Sequence, residues 1–328
     1  MIISQTPLRM SFVGGGSDLP SYYRKQTGAI VSTTINKYIY INVNKKFDHL
    51  IRASYSITEF VDRPEKLKHE LIRESLKLLG IKSGIEITSI ADIPSGGTGL
   101  GSSSSYTVGL LNALNAYLSR FSSKEHLAST ACQVEIDRCH KPIGKQDQYA
   151  AAYGGLNLIE FLPDDSVIIN PIICKSDTKQ KLWQNLLLLY TGVTRSADKI
   201  LAGQNQNTLS DIKTCDILSQ MVKLAYSQAK SLSKNDLKSF GEALDENWQL
   251  KTKLCRGISN PTIDRWYKTA KSHGAIGGKI LGAGGGGFLL FYAPKSKHES
   301  IVESLPKLRK INFNFDADGS KIIYYKEN

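Results

Sequence analysis

Cysteine is scarce in this sequence, and nothing in its spacing builds a metal site or a disulfide framework. The five residues (Cys132, Cys139, Cys174, Cys215 and Cys255) are odd in number and contain no CxxC pair. Reduced thiols in a cytoplasmic setting are therefore expected. Long apolar runs are missing too: Leu186–Tyr190 and Phe288–Ala293 fall far short of the ~18 residues of a membrane span. No basic and then apolar leader precedes Gly14, so a signal peptide is not expected. HExxH, GxSxG and the Walker A pattern are absent, which argues against a zinc protease, a hydrolase nucleophile elbow and a P-loop. Runs of five or more basic residues are also lacking, as are RRM-like, zinc-finger and heptad signatures. The formal net charge of +12 is thus not read as a nucleic-acid footprint. Small phosphorylated substrates are drawn by such a field equally well.

What is present is an ordinary globular composition, 41% hydrophobic and 22% charged over 328 residues, enough for about two domains. The first part reads mainly as strands, at Ile2–Phe12, Ile30–Ile35, Tyr38–Lys45 and Ile85–Ile90. Leucine spacing predicts a helix over Pro64–Leu79, closed by Gly80. Further helices are expected from Ser102 to about Tyr117 and over Lys124–Arg138, the latter capped by Ser122-Ser123, with strands at Tyr153–Phe161 and Val167–Ile172. After a buried strand at Leu186–Tyr190 the pattern turns helical: Thr194–Gln204, Asp211–Ser231, Leu237–Leu250 and Pro261–Ser272. Strands Gly278–Leu281, Gly287–Tyr292, Ile311–Phe315 and Lys321–Tyr325, with a helix at Lys297–Leu305, complete the chain. The mixed order predicts α+β. A division into domains 1–175 and 176–328 is expected from pattern alone.

Glycine is close to average in amount but not in placement. Fourteen of the 27 fall in three windows, at 14–16, 96–101 and 277–287. The middle one, from Pro94 through Gly96, Gly97, Thr98, Gly99, Leu100 and Gly101 to Ser102, Ser103, Ser104 and Ser105, empties into an apolar helix. Free backbone N–H groups and the positive helix end make such a loop an anion cradle, and its serines could reach phosphate or Mg²⁺. The third window formally matches GxGxxG at Gly282–Gly287, but the strand Phe288–Tyr292 follows it, whereas a dinucleotide fingerprint must open a helix. A backbone lining for a ligand and a tight hairpin fit that window equally well. Asp18, Glu135, Asp137 and Asp147 are the acids placed where they could do chemistry.

Three glycine clusters in this order, with an acidic helix and Gly144-Lys-Gln-Asp-Gln148 between the second and third, resemble the GHMP kinases. Gly99-Leu-Gly-Ser-Ser-Ser104 is similar to that family's phosphate loop, with one extra residue after Pro94 and Ser104 in place of alanine. Thr6–Leu19 and Gly144–Tyr149 look most like its sugar-1-kinase branch. The resemblance implies a two-domain α+β fold: an N-terminal domain like that of a ribosomal protein and a ferredoxin-like C-terminal domain. It implies an ATP-dependent kinase acting on the anomeric hydroxyl of a phosphorylated heptose. Alternatives are another sugar, such as a fucose-like one, a small alcohol, or a non-catalytic relative that only binds. In that reading Asp147 and Arg9 are catalytic, Pro94 and residues 96–104 hold ATP, and Ser102 and Glu135 hold Mg²⁺. Gly15, Gly16, Ser17, Asp18, Lys145, Arg195, Gly284, Gly285 and Gly286 face the substrate, with Arg24 and Lys37 as further candidates for its phosphate. Arg195 is the first choice among these cations. The implied partners are a sugar phosphate and ATP, without nucleic acid or membrane, in a monomer or a homodimer.

Overall fold

A computed structural model describes residues 1–94, 97–193 and 197–326. Two antiparallel-dominated sheets organise the chain, one of nine strands and one of four. The spine of the larger sheet is Gly28–Lys45, a strand of 18 residues where the sequence pattern predicted two. It pairs along one side with Ile2–Val13 and on the other, in turn, with Asn157–Phe161, Phe315–Asp316 and Ile85–Ala91. The apparent gap near Asn36-Lys37 is a bulge: the register shifts between Pro7 and Leu8. Proline has no N–H for the ladder, so the strands slip there while Asn36 N bonds Asn314 O instead, at 2.9 Å. Ile51–Ser54 and Thr58–Val61, which the pattern missed, extend the far edge.

The helices of the first half pack on one face of the larger sheet, and helix Ile212–Ser233 of the second half packs on the other. The predicted helix at 64–79 is a 3₁₀ turn, Pro64–Lys66, then an α-helix, Glu70–Leu79. Leu67 between them is extended because the Glu59 carboxylate takes the N–H groups of Lys68 and His69, leaving His69 to cap the helix. Gly80 ends it with φ 73°, as expected from its position. Ser102–Tyr117 is the central helix. Lys124–Cys132 is regular, then widens into a π-helical turn over Gln133–Arg138. Gln146–Tyr153, expected to be strand only at its end, is a helix closed by Gly154, so the strand begins at Asn157.

The second sheet has strand order Arg309–Lys310, Leu186–Tyr190, Phe288–Tyr292, Gly277–Ile280, all antiparallel. Numbered along the chain this is 4-1-3-2, the ferredoxin-like arrangement that the resemblance implies. Its first crossover carries helices Ala197–Ser210, Ile212–Ser233, Phe240–Lys251 and Pro261–Ser272. The predicted strand Ile311–Phe315 is not one element. Arg309–Lys310 pairs in the second sheet, and Phe315–Asp316 and Lys321–Tyr325 pair in the first. The chain therefore re-crosses the division expected at 175/176, where the helix Ser176–Gln184 links the two sheets. No helix among the described residues is long and apolar enough to cross a membrane.

Candidate functional site

A cleft of about 280 Å³ opens where the two halves meet. Its floor is the first turn of Ser102–Tyr117. No side chain among the described residues caps that helix, whose N-cap is Gly101 at φ 74°, so its leading N–H groups point at the cleft. Gly101 is needed for a second reason. A Cβ there would lie 3.1 Å from Arg9 Cγ and 3.4 Å from Asp147 Cγ, inside the contact that the site depends on.

That contact is the Arg9–Asp147 pair. The Arg9 guanidinium donates through Nε to Asp147 Oδ1 at 2.6 Å and through a terminal nitrogen to Gly99 O at 2.7 Å. Arg9 comes from the buried strand Ile2–Val13 and Asp147 from the first turn of Gln146–Tyr153, residues 138 positions apart. One guanidinium thus ties the acid to the phosphate loop. Arg9 is nearly buried and Asp147 is partly open, so the free carboxylate edge is the one available to a substrate.

Asp18 lies beside them. Gly16 N and the Gln146 side chain donate to its Oδ1 at 3.0 and 3.1 Å, and Gln146 N to Oδ2 at 3.3 Å. Burial, and then the neighbouring Asp147, push its carboxyl above the usual range despite those bonds. Glu135, on the π-helical turn, is wholly buried. Ser103 Oγ donates to one of its oxygens at 2.7 Å and Gln148 Nε2 to the other at 2.6 Å. Burial raises its carboxyl above the ordinary range, hydrogen bonds from the serines and Gln148 oppose, and Asp147 adds to the rise.

The donor set fits Mg²⁺. Ser102 and Glu135 line one cavity and offer hard oxygens, the buried carboxylate forms no ion pair among the described residues, and the helix end leaves room for phosphates. Among the described residues no three His, Cys, Asp or Glu side chains could hold a metal unaided.

The remaining expected residues divide. Gly97, Thr98, Gly99, Gly101, Ser102, Ser103, Ser104, Gly16 and Asp18 line the cleft together with Arg9, Glu135 and Asp147. Leu100 is core, its carbonyl accepting Arg9 N, and Pro94 is exposed away from the cleft. Ser17 is spent on structure, donating to Gly14 O and Ala29 O. Lys145 does not line the cleft, although Gly144 and Gln146 do. Its ammonium binds Asp165 through the carbonyl at 2.8 Å and the carboxylate at 3.1 Å, over the Tyr23 ring. Arg24 is held by the same carboxylate, and Lys37 lies in a separate hollow near Trp183. Gly284 and Gly286 pack against the carbonyls of Ile258 and Val193, and Gly285 N bonds Ile258 O at 2.8 Å. The cleft is lined instead by Gly282 and Ala283, one step earlier. Gly96 and Arg195 lie outside the described residues. The structure adds Lys251, Gln204 and Lys141, which sequence reasoning missed.

Comparison with known proteins agrees with this geometry. Residues 66–155 match the GHMP kinases N terminal domain and residues 228–310 the GHMP kinases C terminal domain. The chain is 30% identical to a D-glycero-alpha-D-manno-heptose 7-phosphate kinase of Campylobacter jejuni, over 98% of each chain. It superposes with a TM-score of 0.82 on a D-glycero-D-manno-heptose 1-phosphate kinase from Bacteroides thetaiotaomicron, 26% identical, with all of both chains covered. A galactokinase of Lactococcus lactis, only 16% identical, shares the fold with a TM-score of 0.77 over 98% of this chain and 94% of its own. Full-length similarity, both domain matches and an uncapped serine helix facing an arginine–aspartate pair lead to one conclusion: the chain belongs to the GHMP kinase family and is an ATP-dependent kinase.

Proposed function

We propose that the protein transfers the γ-phosphoryl group of ATP to the anomeric hydroxyl of D-glycero-D-manno-heptose 7-phosphate, giving the 1,7-bisphosphate. The observation that carries this reading is the Arg9–Asp147 pair at 2.6 Å, set between Asp18 and the phosphate loop. Support for the sugar comes from the Campylobacter relative, named for the 7-phosphate, and from the Bacteroides structure, also named for this heptose. The two names differ in the phosphate they print, so the position is ours to argue. An anomeric hydroxyl is more acidic than an ordinary alcohol, which suits a carboxylate partner.

Phosphoryl transfer asks for positioning and charge neutralisation more than covalent help. The helix N–H groups and Gly97–Gly101 hold the ATP phosphates. Asp147 orients the acceptor hydroxyl and takes its proton, while Arg9 offsets charge on the transferring group. Asp18 accepts from sugar hydroxyls. Ser102 and Glu135 would hold Mg²⁺, which supplies charge neutralisation at the phosphate oxygens when bound. The test is coupled ADP release with a panel of the heptose 7-phosphate, the unphosphorylated heptose, L-fucose and mevalonate. The 7-phosphate is expected to lead the free heptose by at least ~10²-fold in kcat/KM, about two tenfold steps of ~1.4 kcal/mol. Equal use of both would defeat the substrate assignment, and preference for fucose would favour the fucokinase-like alternative seen in a Bacteroides fragilis relative, 24% identical.

A further inference from the structure

The acids and the phosphate loop come from the first half of the chain, but the wall opposite them comes from two helices of the second. Ala197–Ser210 brings Gln204, and Phe240–Lys251 ends on Lys251. Both side chains are buried and both line the cleft. The Gln204 amide nitrogen has no hydrogen-bond partner among the described residues, a condition that folded proteins rarely leave without a ligand or water to answer it. Lys251 donates to Gly282 O and forms no ion pair among the described residues, so most of its donor capacity and all of its charge stay unanswered by contact.

The two side chains converge on one dipeptide. A Cβ on Gly16 would lie 2.3 Å from Gln204 Nε2, and one on Gly15 would lie 3.8 Å from Lys251 Nζ. Asp18 follows two residues later. On its other side Lys251 holds the carbonyl of Gly282, and Gly282 is packed against Gly99: a Cβ on Gly282 would come within 2.5 Å of Gly99 Cα. Lys251 therefore sits where the phosphate loop and the acids meet, and Gln204 sits against Gly16, two residues before Asp18.

We propose that Lys251 binds an oxygen of the phosphoryl group in transit and that Gln204 donates to a hydroxyl of the acceptor. This would make them the second half's catalytic and specificity-determining residues. The idea rests on the kinase reading of the cleft, not on the choice of heptose. The charged groups acting on Lys251 are Arg9 on the first strand, which lowers it, and Asp18 on the glycine turn and Asp147 on its helix, which raise it; Lys251 in turn helps lower the buried Lys279 of the second sheet. Desolvation foremost, with the cationic neighbour Arg9, brings Lys251 down to about 8.

The acceptor for the test is whichever panel sugar the wild type phosphorylates fastest, so a wrong sugar overturns the previous reading alone. Gln204→Leu should raise the acceptor KM by about 3- to 10-fold, the worth of one neutral hydrogen bond, with kcat and the ATP KM within two-fold. Lys251→Met should lower kcat by ~10²-fold with little change in either KM, as expected for charge stabilisation confined to the transition state. The wild type is expected to lose kcat/KM on the alkaline side near pH 8, and Lys251→Arg should recover part of the rate lost in Lys251→Met and abolish that alkaline fall. An unchanged acceptor KM in Gln204→Leu would overturn its role. Near-normal kcat in Lys251→Met, or a pH 8 limb surviving in Lys251→Arg, would overturn that of Lys251. The arginine variant decides the matter even if the methionine variant fails to fold.

Discussion

Asp147 holds its place through Arg9 and keeps one carboxylate edge toward the cleft. Asp147→Asn preserves shape and removes proton acceptance. The kcat is expected to fall by roughly 10²-fold or more with ATP affinity, measured by calorimetry, unchanged; near-normal turnover would strike Asp147 from the chemistry. Glu135 allows a two-sided prediction. Its carboxyl is raised by burial, so the folded state binds the proton more tightly than the unfolded chain does, and its contribution to stability worsens as pH rises through the folded value. Removing the charge should therefore stabilise the apoprotein at neutral pH. Glu135→Gln is accommodated because the oxygen of the Gln148 amide has no partner, so that amide can turn over and accept. We expect the melting temperature to rise by a few degrees while the Mg²⁺ concentration for half-maximal rate increases several-fold. A lower melting temperature with unchanged Mg²⁺ dependence would make Glu135 a structural residue only.

The uncapped helix is the element on which the site turns, and Gly101 is its hinge to the arginine–aspartate pair. Gly101→Ala should cost about 1–3 kcal/mol from the left-handed backbone alone and lower kcat further by displacing Arg9, whereas an exposed left-handed glycine such as Gly192 should show the first effect without the second. Equal kcat losses in Gly101→Ala and Gly192→Ala, read beside their melting curves, would contradict this. This element was legible in the sequence because glycines, serines and the helix they open are contiguous, and their chemistry is local. Lys251 and Gln204 were not. Each is an ordinary residue in an amphipathic helix, the expected helix at 237–250 even stopping one short of Lys251, and its meaning arises only when that helix packs on Gly15-Gly16. The cations Lys145 and Arg24 misled for the converse reason: closeness in sequence to the motifs could not reveal that Asp165, on a distant turn, claims them. Strand Gly28–Lys45 was split in the reading because a bulge caused by Pro7, on another strand, looks locally like a loop.

At the scale of the molecule, the two sheets do not correspond to two halves of the sequence. Lys321–Tyr325 pairs with Ile2–Gln5 at the edge of the first sheet, and Phe315–Asp316 fills the gap beside Thr34-Ile35. A fragment of residues 1–175 would lack both strands and leave the first strand as an open apolar edge. It is expected to lack a cooperative thermal transition, and co-expression with 176–328 should restore one. A fragment that melts cooperatively by itself would show that the returning strands are ornamental.

The double crossing also limits how the cleft can breathe. The chain passes between the sheets at 172–185 and again at 311–314, and the wholly buried Lys279 ammonium is bolted to the carbonyls of Ser11 and Phe12 across the same seam. The two crossings tether the sheets to each other, and a swing that opened the seam would part Lys279 from the carbonyls of the first strand and Gly99 from Gly282. A clamshell cycle at each turnover would expose that lysine to water every time. Ligand traffic that leaves both sheets fixed and shifts only segments at the cleft's rim keeps those contacts intact, and so costs less than parting the sheets like jaws.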